Sequence, residues 1–127
     1  MSPALYLACI MEISITHIDT ACILLQIGEY KILTDPVLDQ PGQKYHHGFG
    51  AISSKTERPA MDPQALKGID LLLLSHHQHW DNFDAGGRML AAEIPLVLST
   101  KAAGKALFQF QDNWAHLPIG YHLHRIR

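Results

Sequence analysis

The chain has 127 residues, 47% hydrophobic and 17% charged, enough for one domain with a real core and too apolar for a disordered segment. Its net charge of -2 with neutral histidines supplies no basic surface for nucleic acid or for an acidic membrane. No run approaches the ~20 apolar residues of a membrane helix, and the apolar opening lacks the basic start of a signal peptide, so a cytoplasmic protein is expected.

From Glu12 to Thr16 polar and apolar residues alternate, with Ile13 and Ile15 on one face, the period of a half-buried strand. Cys22 to Ile27 is almost wholly apolar and is expected to be buried on both faces. Gly28-Glu29 suits a two-residue hairpin, and Tyr30 to Thr34 returns as a third strand stopped by Asp35-Pro36, which completes an antiparallel meander. Cys9 and Cys22 both lie in strand-like stretches and read as inert buried thiols in a reducing compartment.

Leu38 to Asp62 has two prolines, three glycines and no period, the pattern of a long surface excursion and often of a wall over a site. Asp62 caps a short helix with Pro63 at its first position, and the apolar run Leu71 to Leu74 reads as a central buried strand. Asp84 caps a helix to about Ala92, weakened by Gly86 and Gly87, and Leu96 to Leu98 is a further strand. Thr100 caps the next helix, whose Ala103, Ala106, Leu107 and Phe110 form one buried face. This alternation implies parallel crossovers. After Phe110 the pattern dissolves, which divides the chain into a domain over 1–110 and a poorly specified tail over 111–127.

The chemistry concentrates in Leu74 to Asp84, LSHHQHWDNFD, with three of the nine histidines immediately after a buried strand. Histidines one residue apart, as at His77 and His79, can share one metal ion, and Asp81 can act as a ligand or orient and deprotonate a bound water. Ligands of α/β sheets gather beyond the carboxyl ends of strands, where this loop lies. His122 and His124 have similar spacing but sit in the tail beside two arginines, and His46-His47 reads as solvent-exposed. His17 reads as a strand histidine satisfied by hydrogen bonds, and Trp80 as a wall or core residue. No Gly-x-Ser-x-Gly turn or glycine-rich phosphate loop competes with the cluster.

His77-Gln78-His79-Trp80-Asp81-Asn82 resembles the HxHxDH motif of the metallo-β-lactamase superfamily of zinc-dependent hydrolases, with Asn82 in place of the last histidine. Ser75, Ile32-Leu33-Thr34-Asp35-Pro36 and the strand pair around Thr16 to Ile27 are similar to its surrounding pattern, over about Glu12 to Leu107. The superfamily serine usually precedes the first histidine directly, which selects His76, whereas counting back from Asp81 selects His77. The resemblance implies an α/β fold, half of an αββα sandwich, in which a meander continues into a mixed sheet with helices on one face. It implies zinc, one ion at most, held by His76 or His77 with His79 and Asp81, and it makes Asp81 the catalytic group. Asp35 and Asn82 would support the ligands, and the substrate would be a small molecule. Superfamily members take further ligands from a second half, with which His116, His122 and His124 share no motif. A truncated, catalytically silent relative is therefore the alternative. Half a sandwich exposes a sheet face and predicts self-association, a missing partner segment or poor solubility.

Overall fold

The structure is a computed structural model and describes residues 11–108 and 114–116. A six-stranded mixed sheet is its frame, in the order Ile13–Asp19 (β1), Cys22–Ile27 (β2), Tyr30–Thr34 (β3), Leu71–Leu74 (β6), Val97–Ser99 (β7) and Trp114–His116 (β8), with a separate hairpin of Lys44–Gly48 (β4) and Ala51–Ser54 (β5). The meander is β1 (Ile13–Asp19), β2 (Cys22–Ile27) and β3 (Tyr30–Thr34), with Gly28 at φ 58° turning β2 into β3. That left-handed angle costs glycine no side-chain clash. Strands β6 (Leu71–Leu74), β7 (Val97–Ser99) and β8 (Trp114–His116) then add in parallel. The structure is thus a mixed α/β half-domain with an antiparallel start and a parallel continuation.

The parallel continuation begins at a two-point latch. Asp70 accepts from the Lys31 backbone N–H at 2.8 Å through Oδ2, and its own N–H donates to the Lys31 carbonyl at 2.9 Å. This aligns Ile32 with Leu71 and brings β6 beside β3.

The core lies on one face of the sheet. Leu24, Leu33, Leu72 and Val97 succeed one another across four strands and pack with Phe83, Ala91, Ile94 and Ala103 from the helical layer. The opposite face is open along the meander, where Ile13 and Ile15 are 58% and 68% exposed and Leu25, Ile32 and Leu71 beside them are half-buried, while Leu98 of β7 is buried on it. Two expectations are corrected by this one-sidedness. The apolar face of β1 is not its buried one, and β2 alternates, with Cys22 and Leu24 buried and Ile23 and Leu25 half-covered. Beside the exposed residues of β1 the outer face of β2 has only partial cover, whereas β7 is buried on both faces.

Leu38 to Asp62 is not a structureless excursion. It carries the hairpin β4 (Lys44–Gly48) and β5 (Ala51–Ser54), and Val37 and Leu38 before it are buried. Gly48 and Gly50 adopt φ of 86° and 76° around the turn, so these glycines mark a tight hairpin. Pro63–Ala65 is a 3-10 turn capped by the Asp62 side chain, which accepts from Gln64 N–H. Thr100 caps one turn of helix, Lys101–Ala103, which widens into a π-helix over Gly104–Phe108. The wider turn breaks the i, i+3, i+4 pattern, so Ala103 is buried while Ala106 is exposed; Phe110 lies outside the described residues. The stretch read as a tail supplies the edge strand β8, and Cys9, His122 and His124 lie outside the described residues.

Helix α1 (Ala85–Ala91) explains its glycines. A Cβ on Gly87 would stand 2.0 Å from the Pro36 carbonyl oxygen, and one on Gly86 would meet Leu38 at 3.1 Å. The cost in helix propensity is accepted because the chain after β3 crosses directly over the first turn of α1. Gly87→Ala therefore lowers unfolding free energy by about 3 kcal/mol, a value typical of severe overpacking. Urea denaturation checks it, and a loss below about 0.5 kcal/mol contradicts the close approach.

Cys22 is free and fully buried, and burial pushes its thiol from 9.0 up to about 11. The folded thiol keeps its proton between those values while the unfolded thiol releases it, so stability falls as pH rises across that window. Below about pH 8 the group contributes no slope. A Cys22→Ala variant should show a flatter decline from pH 8 to 11 in denaturation midpoints, whatever its offset from cavity formation.

Candidate functional site

The end of β3 and the end of β6 lie side by side, and each ends in a residue with a polar task. Asp35 follows β3 in a left-handed conformation, φ 31°, which costs an aspartate less than most residues. Its N–H donates to Leu73 on β6 at 3.0 Å, which holds it there. Its carboxylate is buried and accepts from the Ser75 N–H at 2.8 Å and from the Ser75 hydroxyl at 2.9 and 3.0 Å.

Ser75 passes this contact on to His76. Its Oγ lies 2.9 Å from His76 Nδ1. The hydroxyl has one proton, and the Asp35 carboxylate can only accept, so Ser75 gives that proton to Asp35 and accepts from His76 Nδ1–H. The tautomer thus assigned leaves the lone pair on His76 Nε2. The Asn82 side-chain amide lies farther off, 3.4 Å from Nδ1, and its oxygen and nitrogen exchange places by a flip that relieves any donor conflict.

His79 is exposed and sets its ring edge-to-face against His76, with centroids 5.4 Å apart and planes at 75°. Asn82 and Phe83 N–H both donate to the His79 carbonyl at 3.1 Å, which closes the turn Trp80–Asn82. Asp35, Ser75, His76, His79 and Asn82 therefore form one neighbourhood at the carboxyl ends of the parallel strands. His77 stands apart: its Nδ1 is buried without a hydrogen-bond partner, and its carbonyl accepts from Arg88 at 3.4 Å. Asp81 is exposed in the turn.

Among the described residues no three His, Cys, Asp or Glu side chains come together in a way that could hold a metal ion. Zinc takes four donors, so the His76 and His79 pair fits part of a shell and not a complete one. Of the two candidates for first ligand, His76 has the partner ring and a backed Nδ1, and His77 has neither.

The hairpin reaches the loop through aromatic stacking. Tyr45 of β4 stacks on Trp80, centroids 6.1 Å apart and planes at 20°, and its hydroxyl donates to Asp39 at 3.1 Å. Burial first, and then Asp39, push the Tyr45 hydroxyl upward, so it remains a donor. Asp39 also accepts from Gly86 N–H at 2.8 Å. Arg88 of α1 places its guanidinium carbon 5.3 Å from the Trp80 centroid and 5.0 Å from that of Phe83. Trp80, 41% exposed, is thus a wall residue and not a core one.

Among the described side chains, His17, His46 and His47 do not join this site. His17 bonds the Thr20 carbonyl at 2.9 Å, and His46 and His47 are exposed on the hairpin, where His47 meets Ser53. Tyr45, Asp39 and Arg88 were not legible as site residues, because each reaches the loop from another element. The only signal in sequence was the strand-like Lys44–Gly48 between glycines.

No family model matches the chain, and no curated protein matches it. Solved structures do. An isothiocyanate hydrolase from Delia radicum gut bacteria superposes with a TM-score of 0.63 at 22% identity, covering 86% of this chain and 43% of its own. A protein described as a possible metal-dependent hydrolase, from Veillonella parvula, gives a TM-score of 0.61 at 22% identity, covering 91% of this chain and 45% of its own. At this identity the likeness establishes the fold. The chain spans less than half the length of each of these structures.

Asp35→Asn removes an acceptor-only partner from two donors of Ser75, so a stability loss of about 1–3 kcal/mol is expected. Imidazole nitrogen NMR should show Nδ1–H for His76 in the unaltered protein and a mixture of tautomers in the variant. Unchanged His76 signals in Asp35→Asn contradict the relay through Ser75.

Proposed function

We propose that the protein is a metal-dependent hydrolase of the metallo-β-lactamase type, acting on a small molecule, with zinc as the metal. The observation that supports it best is the His76 and His79 pair, backed by Asp35 through Ser75, at the carboxyl ends of parallel strands. The two solved structures named above, a hydrolase and a possible metal-dependent hydrolase, lend support from the fold. Under this reading His76 Nε2 and His79 are donors, and the remaining donors come from outside the described residues. A bound zinc would supply Lewis acidity and a water ionising near neutral pH.

The chain's own residues have separate tasks. Asp35 and Ser75 hold His76 in one tautomer and one orientation, the support that a histidine ligand ordinarily needs. Asp81, exposed in the turn, is the base that takes a proton from the attacking water. Asn82 borders His76 and offers an amide where a second metal would need imidazole, which limits the site to one ion. Among the described residues no helix is long and apolar enough to cross a membrane, and with Cys22 a free thiol the reading places the protein in the cytoplasm.

A second reading is favoured by the exposure of Ile13 and Ile15: a catalytically silent relative that serves as an interaction module. The matched region is under half of each neighbour, so a second copy packed on the open sheet face would supply a comparable second layer.

Zinc loading followed by metal analysis separates the two. The hydrolase reading expects close to one ion per chain, lost in His76→Ala and in His79→Ala but kept in His77→Ala, with hydrolysis of a generic ester or phosphodiester by the loaded protein. Less than about one tenth of an ion per chain removes it. For the second reading, sedimentation at micromolar concentration should show a dimer, and a clean monomer removes that one.

A further inference from the structure

The guanidinium of Arg88 is placed as few surface arginines are. It lies against two rings, Trp80 and Phe83, and its Nη2 donates to the His77 carbonyl at 3.4 Å. Among the described residues no carboxylate pairs with it, and the one ion pair there joins Lys55 and Asp19. Its Nε is buried and has no hydrogen-bond partner. An arginine held for stability alone is ordinarily paired, because a buried unsatisfied donor costs free energy. This one forgoes pairing in exchange for three contacts, all to the loop that carries the histidines.

The spacing of those contacts matters. They fall on residues 77, 80 and 83, and His79 lies between the first two. Its own carbonyl receives the Asn82 and Phe83 N–H groups. With His77 fixed through its carbonyl and Trp80 through its ring, the short span over Gln78 and His79 has little freedom. The clamp is also closed on itself. Arg88 touches Trp80, Trp80 stacks on Tyr45, Tyr45 donates to Asp39, and Asp39 accepts from Gly86, two residues before Arg88 on α1.

We propose that Arg88 is a positioning residue for the histidine site: it joins α1 to the loop through Trp80, Phe83 and the His77 carbonyl and so fixes where His79 meets His76. The role rests on the reading of His76 and His79 as the metal-facing pair. Lysine cannot replace it, since an ammonium on a flexible stem neither lies flat between two rings nor spans to a carbonyl from the same pose.

The test compares Arg88→Lys, Arg88→Ala, Trp80→Leu and the Arg88→Lys, Trp80→Leu double variant, each checked for folding by circular dichroism. Amide hydrogen exchange is read at Asn82 and Phe83, with Leu72 in the central strand as the internal reference. Arg88→Lys is expected to speed exchange at Asn82 and Phe83 by about tenfold or more and to leave Leu72 within about twofold. The double variant should be no faster than the faster single one, because both remove the same contact. Equal acceleration at all three amides makes Arg88 a general stabiliser and overturns the proposal, as does rescue by lysine to the unaltered rates. If Arg88→Lys does not fold, Trp80→Leu alone carries the comparison, and unaltered loop exchange there overturns it equally.

Zinc titration of the same variants provides a second arm. Where the unaltered protein binds zinc, Arg88→Lys should weaken the dissociation constant about tenfold, and an unchanged constant overturns the proposal. If the unaltered protein binds none, the functional reading fails, and loop exchange still decides whether Arg88 positions the histidine pair.

Discussion

A single buried carboxylate holds the architecture of the site together. Asp84 is fully buried and accepts from the Asp39 N–H at 2.7 Å and the Gly87 N–H at 2.8 Å, with the Leu38 backbone as a third donor. Burial raises its pKa, and the backbone donors oppose that rise. The group therefore does two tasks at once. It caps α1, and it fastens the chain leaving β3 to the first turn of that helix. The close approach of Pro36 to Gly87 follows from this bond. So does the place of Asp39, which reaches both Gly86 and Tyr45. Without the Asp84 junction, Asp39 loses the anchor from which it holds Tyr45 against Trp80.

Much of this was legible because it is local. The meander follows from alternation and a glycine turn, the parallel strands from short apolar runs, and the caps at Asp62, Asp84 and Thr100 from side chains suited to accept backbone N–H groups. What was illegible depends on partners distant in the chain. Gly86 and Gly87 looked like weaknesses in a helix until Pro36 and Leu38 were seen against them. Asp35 could have been a simple strand stop until its carboxylate met Ser75, forty residues later. Which of His76 and His77 meets Ser75 and His79 likewise depends on the turn, because adjacent residues in an irregular turn point in different directions.

The fold likeness and the site geometry bear on different questions. Similarity to a hydrolase and a possible metal-dependent hydrolase at 22% identity speaks to the backbone. The His76, Ser75 and Asp35 series speaks to chemistry, because it prepares one imidazole nitrogen and leaves it free. The core adds a further observation: Ile13 and Ile15 stand exposed on the meander side of the sheet.

The latch between Asp70 and Lys31 also bears on the order of assembly. The meander pairs neighbours in sequence and can form early, since closing a short turn costs little entropy. Strand β6 must instead find β3 across almost forty residues of intervening chain, and the paired bonds of Asp70 reward only the correct register. The histidine loop begins where β6 ends, so it takes shape only after that long-range encounter. A folding intermediate with a complete meander and an unlatched β6 would have no Asp35 and Ser75 contact, and therefore no oriented His76. The site thus serves as a late marker of native registry.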